Sequence, residues 1–330
     1  MIQTAFTRLM GVDHPVVSAG MGAGNADGEL AGRVSEAGGL GVIGASFLDA
    51  HEVAEMINRA REITSYPFGV NLLLFSNEHL LEGVLGANPS VLSTAWPRAD
   101  QDLKSIFAKA HDRGIKVMHM VPTLDDAKKS AEAGADVIVA QGTEGGGHIG
   151  LMGTTVIVRQ VVKAVAPLPV LAAGGIADGA GLAAALALGA QGVLLGTRFY
   201  ATTECPSPAA WKQAIVASDG HDTIVTSVPE SLTGRDWPGA WSRVARTRFV
   251  EEWLGREPEL RRRRGEVWSA LERAEAEGQL DYRIHHVGQC AGLIDAILPA
   301  GDVVRQIVAE AEDILRKTLP AMVTADPIRA

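Results

Sequence analysis

A (β/α)8 barrel with a helical cap inserted after its eighth strand is the fold that this 330-residue sequence predicts. Three observations carry that expectation. Eight short apolar runs recur with helix-patterned segments between them. Most of the runs are continuously apolar, as strands of a parallel sheet buried on both faces are. Glycine-rich stretches follow several runs, at the end of the strands where such a barrel builds its site. An open doubly wound sheet is the rival arrangement, and eight regular units favour closure over it.

The runs come in order. Pro15 to Ser18 leads into Ala19-Gly20-Met21-Gly22-Ala23-Gly24, and Leu40 to Ala45 follows the pair Gly38-Gly39. Phe68 to Leu74 is third, Val91 to Ala95 fourth and weakest, Lys116 to Val121 fifth and Asp136 to Ala140 sixth. Val170 to Ala173 and Gly192 to Leu195 are the seventh and eighth. Between them, Ala26–Ala37, Asp49–Ile63, Leu103–Arg113, Leu124–Ala133, Thr155–Val165 and Gly181–Leu188 have apolar residues at helical spacing. Glu78–Gly86 is a less regular helical segment. The endings Ala-Gly-Ala-Asp at 133–136 and Leu-Gly-Ala-Gln at 188–191 read as helix C-caps feeding the next strand.

After Phe199 the pattern changes. Residues 203–286 hold five of the six tryptophans and about half of the arginines, with no strand alternation, and read as a helical cap over the barrel mouth. The chain therefore divides into a barrel at 1–202, a cap at 203–286 and a segment at 287–330 that returns to the barrel. Asp302–Lys317 reads as an amphipathic helix that seals the fold, and Thr324–Ala330 as a loose tail. Exposed cap tryptophans would allow a homodimer.

Composition narrows the function classes. Apolar residues make up 47% of the chain, enough for a large core, and 30 basic against 39 acidic residues give a net charge of −9. An acidic chain is a poor general binder of nucleic acid. Two distant cysteines, Cys205 and Cys290, form neither a disulfide framework nor a metal pattern and fit a reducing cytosol. The first residues lack the basic-then-apolar order of a signal peptide, and no apolar run approaches the ~20 residues of a membrane helix.

Chemistry concentrates in Gln141-Gly142-Thr143-Glu144-Gly145-Gly146-Gly147-His148-Ile149-Gly150, directly after the sixth run. Glycines let backbone approach a ligand closely, and His148 titrates near neutral pH. The bland reading is a tight turn with a surface histidine. Ala173-Gly174-Gly175 follows the seventh run and Leu195-Gly196-Thr197 the eighth, the two loops that commonly bind phosphate in this fold. A phosphate-bearing ligand is expected at Gly174, Gly175, Gly196 and Thr197. Asn71, a carboxamide among aliphatic residues, needs a partner, either a ligand's polar edge or a neighbouring loop. His119 faces either the mouth or a satisfied core position, the second being the simpler reading, and the arginines at 243, 246, 248 and 261–264 read as a solvated helical face.

Together these pieces resemble the nitronate monooxygenase family, formerly the 2-nitropropane dioxygenases, and are similar to the flavin enoyl-acyl-carrier-protein reductases. The matching stretches are Val16–Gly22, Gly38–Gly44, Phe68–Asn71, Ala133–Gly150, Pro169–Gly179, Leu188–Phe199 and Gly288–Leu293. The resemblance implies FMN held without a covalent bond. It implies that Ala19, Gly20, Met21 and Asn71 line the isoalloxazine and that Gln141 and Gly146 contact the ring or ribityl chain. Ala173, Gly174, Gly175, Gly196 and Thr197 would hold the phosphate, Gln289 would join the same pocket, and His148 would be the catalytic histidine. Met120 and Gln141 stand where one branch has lysine and aspartate, and 144–148 reads Glu-Gly-Gly-Gly-His in place of Glu-Ala-Gly-Gly-His. The implied activity is oxidation of alkyl nitronates with O2 to carbonyl compounds and nitrite. The second reading is an NAD(P)H-dependent reductase of an enoyl thioester on CoA or a carrier protein, with cap arginines meeting the phosphates. Glu144 reads as structural in its loop.

Overall fold

The computed structural model describes residues 1–235, 237–279 and 281–323, without the side chain of residue 275; the 324–330 tail lies outside the described residues. Among the described residues there are eleven strands. They are β1 (Val16–Ser18), β2 (Gly41–Gly44), β3 (Phe68–Leu73), β4 (Val91–Ala95), β5 (Lys116–Val121) and β6 (Val137–Gln141). Then come β7 (Gly147–Ile149), β8 (Val170–Ala173), β9 (Val193–Leu195), β10 (Thr223–Thr226) and β11 (Trp241–Ala245).

Eight of these form one parallel sheet in the order β1-β9-β8-β6-β5-β4-β3-β2. The two ends meet: Leu40 N–H donates to Val16 O (3.0 Å) and Ser18 N–H to Leu40 O (3.1 Å), which closes the barrel and excludes the open sheet. Side chains alternate between two cores, as the strand period of 2 requires. Val137, Val139, Leu171 and Ala173 join the barrel interior, while Ile138, Ala140, Val170 and Ala172 pack outward against the helices. Both sets are buried, which is why the runs read as continuously apolar. The helix Ala5–Met10 adds Phe6 and Met10 to the interior cluster and plugs the end opposite the mouth.

Helix starts follow from local chemistry. Asp27, Asp49, Asp102, Thr123 and Asp178 each accept a backbone N–H of the following first turn. Helices form at Gly28–Glu36, Ala50–Ile63, Leu103–His111, Leu124–Glu132, Thr154–Val165 and Gly179–Ala187, within a few residues of the sequence expectation. The irregular segment after β3 breaks into Leu74–Asn77, a 3-10 turn at Glu78–Leu80, and Leu81–Gly86. The closing helix is Ala300–Asp313, followed by a π turn at Ile314–Thr318. Its Glu310 accepts the N–H of Gly179 at 2.8 Å, which locks it onto the helix after β8.

Residues 203–286 carry strands that the sequence did not suggest. The stretch is helical for the most part, with Ala209–Val216, Val228–Thr233, Arg248–Trp253 and Glu257–Ala276, but it also carries β10 and β11. These pair antiparallel with each other, and β11 pairs with β7, so the glycine loop after β6 contains a strand. The partners lie about 95 residues apart in the chain, so no local pattern reveals the pairing. Val228, Leu232, Val244, Phe249, Trp253 and Leu260 give the cap its own apolar cluster. Cys205 and Cys290 are both buried and free. Among the described residues no helix is long and apolar enough to cross a membrane.

His119 sits on β5 and is 1% exposed, with Nδ1 2.7 Å from Thr94 Oγ1 and its ring against Phe107. It is a core residue. Burial pushes its pKa down to about 4 from 6.5. The unfolded chain therefore takes up a proton, as pH falls below 6.5, that the folded chain refuses, and stability falls until pH reaches about 4. The expected loss over that window is about 3 kcal/mol, at ~1.4 kcal/mol per unit. Urea unfolding at pH 7 and pH 4.5 checks this: the difference between the two pH values should shrink in His119→Gln. An equal difference in both proteins contradicts it.

Candidate active site

The mouth forms from the loops that follow the barrel strands, and hydrogen bonds tie these loops together. Ala19 N–H donates to Leu195 O (2.9 Å), joining the loops after β1 and β9. Asn71 on β3 accepts from Ser93 Oγ at 3.0 Å and lies 3.5 Å from Gly20 O through its amide nitrogen. Its carboxamide is thus satisfied by neighbouring loops and strands. A Cβ at Gly20 would lie 2.4 Å from Asn71 Cβ, so glycine at 20 is required by this packing. Met21 follows, half-buried beneath Gly44.

On the opposite side, the returning segment 286–289 lies against the glycine loop. Gln289 N–H donates to Glu144 O (2.9 Å) and Gly288 N–H to Thr197 Oγ1 (3.0 Å). A Cβ on Gly146 would fall 2.5 Å from Gly288 N, so only glycine lets these two backbones touch. Gly174 and Gly175 have φ of +97° and +75°, a region glycine enters at little cost. A Cβ at Gly174 would also meet Gly142 O at 2.8 Å. The structure therefore gathers Gly146, Ala173, Gly174, Gly175, Gly196, Thr197 and Gln289 on one side, with Ala19, Gly20, Met21 and Asn71 adjoining. Two features there lack protein partners. Among the described residues no acceptor is found for the N–H groups of Gly175, Gly196 and Thr197. Gln141 Oε1, at the end of β6, is buried without a hydrogen bond.

His148 is held by the cap. Its strand β7 pairs with β11, with His148 opposite Ser242. Arg243, buried, fixes this junction by donating to Thr143 O (2.8 Å) and Thr223 Oγ1 (3.1 Å). The His148 ring stacks on Trp237 with centroids 3.2 Å apart and planes 8° apart. Trp237 in turn meets Phe75 at 4.4 Å and the edge of Trp96 at 6.2 Å, so the aromatic stack spans the mouth toward β3 and β4. His286 tilts against His148 from the returning segment, 5.5 Å away.

Glu230, on the helix Val228–Thr233, places Oε1 2.8 Å from His148 Nε2 and accepts Ser242 Oγ on the same oxygen at 2.5 Å. Both side chains are 14% exposed. The contact is close but off the N–H axis, and Nε2 has no other partner. Burial pushes the pKa of His148 below 6.5, Glu230 pulls it partly back, and the charge of Arg235 pushes it down further. Burial opposes the charge on Glu230, yet the adjacent His148 ring and the hydrogen bond from Ser242 outweigh it and hold its pKa below the usual value. At neutral pH the pair is a carboxylate facing a neutral imidazole. That field favours the proton on Nε2 and leaves the Nδ1 lone pair to accept. No hydrogen bond to Nδ1 is seen among the described residues, and the side chain is 14% exposed. The arrangement suits proton abstraction next to an electron-withdrawing group.

Glu144 is structural: it accepts the N–H of Thr154 at 2.9 Å and Thr154 Oγ1 at 2.7 Å. The cap arginines are likewise engaged within the protein. Arg246 pairs with Glu251 at 2.7 Å and Arg248 with Asp281 at 3.1 Å. Arg263 lies between Glu259 and Glu266, and Arg261 donates to Ser231 Oγ at 3.2 Å. Sequence reasoning overlooked Glu230, Arg235 and His286, and it noted Trp237 only as one of many cap tryptophans. The pair His285-His286 and the tryptophan density were visible signals. Glu230 had none, since a single glutamate in a polar stretch carries no pattern.

The chain is similar to known proteins over most of its length. The model of the nitronate monooxygenase family matches residues 3–82 and 81–310. A (3aS,4S,5R,7aS)-5-hydroxy-7a-methyl-1-oxo-octahydro-1H-indene-4-carboxyl-CoA dehydrogenase of Rhodococcus jostii is 37% identical over 236 residues, 71% of this chain and 65% of that protein's own length. A probable nitronate monooxygenase of Staphylococcus aureus is 30% identical over 291 residues, covering 74% of this chain and 79% of the relative. The structure of FabK from Thermotoga maritima superposes with a TM-score of 0.87 at 35% identity, over 98% of this chain and all of that one. The barrel, the glycine loop and the extent of these matches lead to one conclusion: the chain belongs to the nitronate monooxygenase family and is an oxidoreductase.

Proposed function

We propose that the protein is an FMN-dependent nitronate monooxygenase, oxidising alkyl nitronates with O2 to carbonyl compounds and nitrite. The observation that carries this reading is the accessible, neutral imidazole of His148, backed by a buried carboxylate and stacked across the mouth. The residues present fit a flavin. The unpaired N–H groups of Gly175, Gly196 and Thr197 form a cradle for a phosphate, with Gly174 shaping its turn. Gln141 Oε1, buried without a partner, offers an acceptor to a polar ring edge or ribityl hydroxyl. Ala19, Gly20, Met21, Asn71, Gly146 and Ala173 would shape the remaining wall, with Gln289 at its rim. When bound, the flavin supplies the electron transfer between substrate and O2.

The chain's own residues do the rest. His148 Nδ1 takes the α-proton of a neutral nitroalkane, and Glu230 stabilises the positive charge that then develops on the ring. Trp237, Phe75 and Trp96 keep water from the reacting carbon. A second reading, reduction of an enoyl thioester with NAD(P)H, is favoured by the CoA dehydrogenase relative. Under it the same imidazole donates a proton to the substrate.

Anaerobic mixing separates the two. The protein as purified should release FMN, and an alkyl nitronate alone should change the flavin spectrum within turnover time, with nitrite formed once O2 is admitted. Rapid bleaching by NADH or NADPH with no response to nitronate rejects the first reading in favour of the second.

A further inference from the structure

Removing a proton beside an electron-withdrawing group sets two demands. One is a base at the carbon, and the other is a hydrogen-bond donor at the oxygen where negative charge collects. His148, backed by Glu230, meets the first. The second falls to a group within reach of His148, and His286 is so placed.

Backbone contacts fix His286 from both sides. Ala245 N–H, at the end of β11, donates to His285 O at 2.8 Å, and Gln289 N–H donates to Glu144 O in the glycine loop at 2.9 Å. The His285 ring meets the edge of Trp211 at 4.3 Å, and Val287 and Gly288 lie against Gly146. Val287, Gly288 and Cys290 are buried, whereas the side chain of His286 is exposed. Neither of its ring nitrogens is hydrogen-bonded among the described residues. The exposed ring nevertheless lies in a recess and not on an open surface. Burial, with His148 and His285 beside it, holds its pKa down to about 3 against the raising charge of Glu230. The recess is the mouth itself, since the His148 ring lies 5.5 Å away with planes 36° apart. A neutral imidazole in that place keeps one N–H to donate.

We infer that His286 is the donor that holds the substrate's nitro oxygens while His148 removes the α-proton. The C–H bond breaks, its proton passes to Nδ1 of His148, and its electron pair moves into the nitro group. The nitro oxygens then carry the charge, and the His286 N–H donates to one of them without giving up its proton. Rings 5.5 Å apart suit this division, because the oxygen lies only two bonds from the acidic carbon. A neutral donor also serves better than a cation, which would weaken the neighbouring base. The inference rests on the nitronate reading for the identity of the oxygens.

The test compares three variants. His286→Phe keeps a flat ring against His148 without the donor, His286→Gln keeps an N–H, and His148→Ala removes the base. Isobutyrate, whose carboxylate carries two oxygens as a nitronate does, is the unreactive probe, titrated calorimetrically into the flavin-loaded protein. His286→Phe should bind it roughly ten- to hundredfold more weakly, the worth of one hydrogen bond to a charged group. His286→Gln should recover part of that loss. In turnover, His286→Phe should raise KM for the preformed nitronate and also lower kcat/KM for the neutral nitroalkane, whereas His148→Ala largely spares the nitronate. The acid limb of the pH profile, set at His148 by burial, Glu230 and Arg235, should stay in place. Flavin content and melting temperature should be unchanged. The inference is overturned if wild type does not bind isobutyrate, or if His286→Phe binds it as wild type does. It is also overturned if His286→Gln is no better than His286→Phe. Normal nitronate oxidation by His286→Phe would overturn the donor and leave the proposed function intact. Weakened isobutyrate binding by His286→Phe, in a protein that leaves nitronates unoxidised, would support the donor and reject the proposed function.

Discussion

His148→Ala is expected to lower kcat/KM for a neutral nitroalkane by roughly 10²- to 10⁴-fold, the range that a positioned acid–base group contributes. The loss for the preformed nitronate should be much smaller, because that substrate has already lost its α-proton. The difference follows from the state of the ring. Burial lowers the pKa of His148 and the nearby guanidinium of Arg235 lowers it further, so at pH 7 the ring is a base and not a cation. A cationic clamp on the nitro oxygens would instead make both substrates suffer alike. Flavin content is the control, since none of the unpaired backbone groups proposed to hold the phosphate belongs to His148. His148→Gln, closer in volume, guards against collapse of the Trp237 stack in the alanine variant. Near-normal rates with the neutral nitroalkane in both variants would remove His148 from the role of base.

Much of the barrel was legible because its cause is local. Continuous apolar runs such as Val137–Ala140, the caps Asp49 and Asp178, and the stops Gly134 and Gly189 each report on a few neighbouring residues. The glycine loops at 174–175 and 196–197, proposed above to hold a phosphate, stood out for the same reason: they follow directly on strands. What sequence could not display is the partner of His148. β7 is too short, at three residues, to register as a strand without β11, and Glu230 meets the imidazole only because β11 and the helix before it fold over the mouth. The same limit explains the arginines. The conspicuous run at 261–264 lies on the helix Glu257–Ala276, where Arg263 is neutralised by Glu259 and Glu266. The less conspicuous Arg235 lines a cavity beside the mouth. Residue density signals a solvated face, whereas position in the fold decides which charge is left to act.

Glu230→Gln should lower kcat/KM for the neutral nitroalkane by roughly 10- to 100-fold, less than the ~10²- to 10⁴-fold of the acid–base group itself. It should also move the acid limb of the pH profile to lower pH. The sign follows from the groups facing the ring. Glu230 raises the His148 pKa against burial and against the charge of Arg235, while His286, packed on the ring from the returning segment, is itself held neutral by the protein around it and by His148. Without the carboxylate, the imidazole loses its one raising influence, protonates only at lower pH, and becomes a weaker base at its plateau. Glutamine can still accept from Ser242, so the cap junction through β11 and Arg243 should hold and the melting temperature should change little. Imidazole nitrogen shifts in the NMR spectrum give an independent readout. In the wild type the proton should reside on Nε2, facing Glu230, and in Glu230→Gln the two tautomers should become more evenly populated. Glu230→Asp should restore the pH limb in part, because it returns the charge at a longer reach. A Glu230→Gln enzyme with reduced rate but an unmoved acid limb and an unchanged tautomer would reduce Glu230 to a packing residue of the cap.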